Sequence, residues 1–82
     1  MGTHWEGEPL EVVSYAGYRG DERPERFRSL QGWREVREIL DRWYGPDDTY
    51  FKIRADDGHL YILRRRSAGT WFLVGFRREA VH

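Results

Sequence analysis

The side chains able to do chemistry here are three histidines, two aspartate pairs, and arginines interleaved with aromatic rings. His4, His59 and His82 are the only histidines, and no two stand three or four residues apart. A zinc site needs about four ligands at workable spacing, so these read as isolated surface histidines. Asp47-Asp48 and Asp56-Asp57 are adjacent carboxylates of the kind that hold Mg²⁺ or Ca²⁺, or divide acid and base roles. Both pairs fall among turn formers, where an Asp side chain bonds its own backbone. Neither has the alternating oxygen ligands of a calcium loop. Turn chemistry is therefore the expectation, and no metal or cofactor is assigned. Ser14, Ser29 and Ser67 lack the Gly-x-Ser-x-Gly elbow, and the glycines are scattered rather than gathered into a phosphate loop. The chain is not expected to be an enzyme.

The combination above background is arginine beside aromatic residues. Arg54, Arg64–Arg66 and Arg77-Arg78 flank Tyr61, Trp71 and Phe76. From these the expected binding surface is Arg54, Tyr61, Arg64, Arg66, Trp71 and Arg77. Arg, Trp and Tyr dominate the energetics of protein recognition, so a protein partner is the first reading. The same residues suit single-stranded nucleic acid, with Arg on phosphates and rings under bases. That alternative requires Arg64, Arg66 and Arg77 to share a positive face with exposed rings. Pairing of these arginines with Glu35, Glu38 or Asp41 would count against it.

These residues are positioned by elements that read mostly as strands. Leu10–Tyr18 has strand length and β-branched, aromatic and small residues. Gly20, Asp21 and Pro24 then suggest a solvated loop. Glu25–Leu30 is a short strand with Phe27 inward, and Gln31-Gly32 is a hairpin tip. In Trp33–Trp43 the residues Trp33, Val36, Leu40 and Trp43 fall on one helical face. Read as a strand, the segment needs a bulge near Arg37-Glu38. Gly45–Asp48 is a turn, since Pro46 stops regular structure. Thr49–Arg54 alternates, with Phe51 and Ile53 on one side and Tyr50, Lys52 and Arg54 on the other. Asp57-Gly58 marks a tight hairpin in which both residues tolerate positive φ. His59–Leu63 is apolar on both faces, as a central strand is. Ser67–Gly69 is a second hairpin turn, and Thr70–Phe76 is the last strand.

Composition bounds the remaining possibilities. The 82 residues allow one domain, with residues 1–8 and 79–82 as loose ends. Aromatics make up 16% of the chain, so rings carry much of the burial. There is no cysteine, which excludes disulfides and favours a reducing, cytoplasmic setting. No run of about 18 apolar residues is present, so no membrane helix is expected. Net charge is zero, yet residues 59–82 set Glu79 against Arg64, Arg65, Arg66, Arg77 and Arg78.

From Phe27 to Phe76 the chain resembles a group of short uncharacterised bacterial domains with small SH3-like β-barrels. The resembling residues are Arg26-Phe27 with Gly32 and Val36, then Glu38–Gly45 (EILDRWYG), Tyr50–Arg64 (YFKIRADDGHLYILR), and Trp71 with Leu73. The resemblance implies a fold and carries over no site residue. It also implies that Glu38–Gly45 is a long strand after a hairpin. The expected fold is therefore mainly β, a small SH3-like barrel or curled antiparallel meander of five to six strands. The alternative is an α+β fold with one helix at 33–43. The expected function is a non-catalytic binding module, with a homodimer through an unpaired strand edge left open.

Overall fold

A computed structural model describes residues 7–16 and 22–79. The expected looseness of residues 1–6 and 80–82 lies outside the described residues. Seven strands follow in chain order: β1 (Glu8–Leu10), β2 (Val12–Ala16), β3 (Glu22–Ser29), β4 (Gly32–Tyr44), β5 (Asp48–Ala55), β6 (Leu60–Arg66) and β7 (Trp71–Arg77). No described residue is helical. The strands form one antiparallel sheet in the order β1-β7-β6-β5-β4-β3-β2. β1 and β2 stand at opposite ends of this order, yet only Glu11 separates them in the chain. The sheet must therefore curl until its ends meet. They meet where the Glu11 carbonyl accepts the Arg28 N–H at 2.9 Å.

The expected mainly-β curled meander is what forms, with seven strands rather than five or six. The extra strand arises because the segment beginning at Leu10 serves both ends of the sheet and breaks at Glu11. Pro24 is not in a loop but in β3, opposite Ser14, beside a register shift at Val13/Ser14. Proline lacks an N–H to donate and is tolerated at such an irregularity. Pairing with β4 begins only at Arg26, so Pro24 loses no bond on that side. Glu8 belongs to β1, and the Glu79 N–H donates to His59 Nδ1 at 3.2 Å. Both lie inside the folded unit rather than in loose ends.

β4 carries the helix-like pattern. Between Val36 and Glu38, and again between Ile39 and Asp41, β4 uses two residues where β5 uses one. Arg37 and Leu40 are thus the extra residues of two bulges, the first at the position the strand reading requires. Each bulge shifts the alternation by one. The inward residues become Val36, Ile39 and Arg42, so only Val36 of the four residues on the helical face turns to the core. Trp33 and Trp43 face outward, 43% and 39% exposed.

The core lies inside the curl. Phe27, Phe51, Ile53 and Leu63 are fully buried, with Ala55, Tyr61 and Trp71 packed beside them. Each large apolar side chain contributes about 1.5–3 kcal/mol through burial. The β5–β6 hairpin closes through a three-residue turn, with the Gly58 N–H donating to Ala55 O and the Ala55 N–H to His59 O. Only Gly58 has positive φ, 83°, and Asp57 does not. The hairpin is therefore a turn with a glycine bulge rather than the two-residue type. Ser67–Gly69 repeats this arrangement between β6 and β7.

Candidate functional site

The ends of the sheet meet at Glu11 but diverge on one side of it. An open groove of about 570 Å³ lies there, between β1, the β3–β4 hairpin tip, the β5–β6 hairpin and β7. Its apolar lining comes from Leu10, Phe27, Tyr61, Leu73 and Phe76. These rings are packed edge to face: Phe27 to Tyr61 at 4.8 Å, and Tyr61 to Phe76 at 5.1 Å tilted. At the mouth, Leu30 is wholly exposed and Phe76 is 53% exposed. The rim carries both signs of charge, with Glu11 and Arg28 paired at 3.5 Å. β1 ends the strand order, so among the described residues its edge toward this groove is unpaired.

A polar cluster fixes one wall. Asp57 Oδ1 accepts the His59 N–H at 2.9 Å, the local turn bond expected of an aspartate here. Its Oδ2 accepts the Tyr61 hydroxyl at 2.6 Å and lies 3.6 Å from Arg34 Nε. Burial opposes charge on Asp57. The hydrogen bonds from Tyr61 and the His59 amide, with His59 and Arg34 nearby, outweigh burial and hold the carboxyl below its ordinary value. For Tyr61, burial comes first, then the bond to Asp57 and its negative charge, and together they push the phenol far up. Asp57 thus stays ionised and Tyr61 stays protonated. His59 is partly buried rather than an isolated surface residue, with its ring edge-on to Phe76 at 5.7 Å. Because Nδ1 accepts the Glu79 N–H, the proton of the neutral ring sits on Nε2. This wall offers fixed donors and acceptors, and every hydroxyl or carboxylate of the cluster is already engaged. Asp56 turns instead toward Arg34 Nη1, at 3.8 Å. Among the described residues no group of three or more metal-binding side chains assembles.

The expected binding surface divides between the two faces of the sheet. Tyr61 and Trp71 face inward, 6% and 5% exposed, as core. Arg54, Arg64, Arg66 and Arg77 sit at outward positions of β5, β6 and β7. None stands without an acidic neighbour. Arg64 Nε and Nη2 bond Asp48 Oδ2 at 2.9 and 2.8 Å, and Arg66 Nε lies 4.0 Å from Asp48 Oδ1. Arg54 lies 3.9 Å from Glu38, and Arg77 lies 3.8 Å from Glu79. Rings that do share the arginines' face include Trp33, Trp43, Tyr50 and Phe72, of which only Phe72 is the strand neighbour of an expected one, Trp71. Trp71 and Phe72 exchange faces on a one-residue shift, and β6 beside them, apolar on both faces, gives no phase. Clean alternation in Thr49–Arg54 had already set Tyr50 beside Arg54, and that signal identifies the outer face.

Compared with known proteins, the chain matches no protein-family model, no curated protein and no solved structure.

Proposed function

We propose that this domain is a non-catalytic binding module that takes an extended segment of a protein partner into the groove beside β1. The observation that carries this reading is the groove itself, an opening of about 570 Å³ walled on one side by a strand edge and lined by Leu10, Phe27, Tyr61, Leu73 and Phe76. A strand edge supplies main-chain bonds to an extended peptide, and an apolar floor supplies a socket for a side chain. The volume falls in the range of ligand pockets, roughly 300–1,000 Å³. The exposed Leu30 and Phe76 at the mouth support a macromolecular rather than a small partner, since they extend the apolar contact beyond the cavity. The cysteine-free composition supports a reducing compartment such as a bacterial cytoplasm. A non-catalytic role accords with the engaged state of Asp57 and Tyr61. Among the described residues no helix is long and apolar enough to cross a membrane.

The test is selection from a random peptide library, followed by amide-shift mapping on the labelled domain. The expected result is a family of peptides sharing one large apolar anchor, with shifts at Leu10, Leu73 and Phe76. Phe76→Ser and Leu30→Ser then weaken binding, the buried anchor contributing about 1.5–3 kcal/mol. No enrichment, or shifts confined to the opposite face of the sheet, refutes the reading.

A further inference from the structure

We propose a second, independent binding surface on the outer face of the sheet, where a single-stranded nucleic acid stacks bases on Trp43 and Phe72 and lays its phosphates along Lys52, Arg54, Arg66 and Arg77. The strand register places one row of outward side chains across five strands. Trp43 stands opposite Tyr50, Tyr50 opposite Arg64, Arg64 opposite Phe72, and Phe72 opposite Pro9. These residues are far apart in the chain and are aligned only by pairing. Trp43 and Tyr50 lie parallel to within 2°, with centroids 5.4 Å apart. Two strand spacings separate Tyr50 from Phe72, roughly 10 Å of sheet. The core lies on the other face, yet rings are placed here, half in water.

The charges fit this ligand class. Lys52, Arg54, Arg64, Arg66 and Arg77 face outward among Glu35, Glu38, Asp41 and Asp48, with Glu79 3.8 Å from Arg77. Arg64 is held by Asp48 and lies over the Phe72 ring at 5.8 Å. That contact orients the ring and sets a cation against Asp48, two residues from Tyr50 on β5, while Asp41 stands two residues from Trp43 on β4. Arg77 is 76% exposed and only loosely set against Glu79. A single strand offers ring faces and a phosphate chain together, which is what a basic groove with stacking rings binds. A duplex hides its base faces and leaves the row nothing to stack on.

The experiment is fluorescence anisotropy of labelled oligothymidylate and oligouridylate of about 16 nucleotides, near the upper span of one small barrel, titrated with the domain from about 50 to 200 mM salt. Neutralising two to four phosphates gives a slope of log affinity against log salt between about −1.4 and −2.8. Trp43→Ala and Phe72→Leu are each expected to weaken binding about five- to 150-fold, while Trp43→Phe keeps most of it. Phe72→Leu retains the apolar bulk, so it reports the ring even if Trp43→Ala does not fold. Absence of binding at the lowest salt overturns the proposal, as does equal affinity for a duplex of the same length. Loss of binding in Lys52→Glu and Arg77→Glu, with none in Trp43→Ala or Phe72→Leu, overturns it as well, because the contact is then charge alone. Phe76→Ser leaves oligonucleotide binding unchanged if the surface is separate from the groove. A loss there places the strand in the groove and overturns the assignment.

Discussion

Replacing Tyr61 by Phe removes one hydroxyl and keeps the ring that closes the groove floor. The hydroxyl donates to Asp57 Oδ2 at 2.6 Å, and a hydrogen bond to a charged acceptor contributes about 1.5–3 kcal/mol. Arg34 Nε, 3.6 Å from the same oxygen, compensates in part, so the lower end, about 1.5 kcal/mol at pH 7, is expected. In a domain of this size, 1 kcal/mol moves the melting temperature by about 4–8 °C, giving a drop of about 6–12 °C. The pH dependence tests the cause. Asp57 is held below its ordinary value of 3.8, so its contribution is present above that pH and is lost as pH falls through the lower, folded value. The penalty of Tyr61→Phe therefore shrinks in acid, toward the 0.5–1.5 kcal/mol or so of a neutral bond. Urea unfolding of both proteins across the acid range measures this. A difference under about 0.5 kcal/mol at pH 7, or one that does not fall in acid, refutes the reasoning.

Further outcomes follow from single contacts. The Tyr61 phenol is pushed above its ordinary 10.0 in the folded domain, so its contribution is complete below pH 10 and is lost as pH rises toward the folded value. Ultraviolet titration then shows one of the five tyrosines ionising late, with unfolding, and all five ionising near 10 in the native domain counts against this. Asp48→Asn leaves the mostly buried Arg64 facing a neutral partner in place of the 2.8 Å ion pair. It lowers stability by about 1.5–3 kcal/mol, and a melting temperature unchanged within 2 °C or so would refute it. A Cβ at Gly75 meets the Ile62 side chain at 3.1–3.3 Å. Gly75→Ala therefore costs about 1–3 kcal/mol through overpacking, checked by denaturant midpoint, and equal midpoints refute the close contact.

The elements closed by local chemistry were legible in the sequence. The glycine turns at Gly58 and Gly69 need a residue free to take positive φ, and each lies between two β-rich runs. The alternation of Thr49–Arg54 set Phe51 and Ile53 inward because side chains of one strand point to opposite faces in turn. Phe27 was also read inward, and it is fully buried. The need for a bulge near Arg37 was legible too, as the only way to fit WREVREILDRW to a strand.

Phase and closure were not legible, and tertiary pairing decided both. A shift of one residue exchanges the faces of a strand, and a segment such as HLYILRRR, apolar on both sides, does not state its phase. Pairing with β5 and β7 sends Tyr61 and Trp71 inward and brings Tyr50 and Phe72 to the face of the arginines. The second bulge, at Leu40, exists only against β5, since it is a count of one strand relative to another. The groove has no local signal at all: it arises because β1 and β2, joined through Glu11, pair with opposite ends of the sheet and leave a gap as they part. On its own, then, the sequence determined strands, turns and a ring-built core, because these rest on contacts between near neighbours. Which rings face water, and where the sheet stays open, were decided by long-range hydrogen-bond register, which no local run of residues encodes.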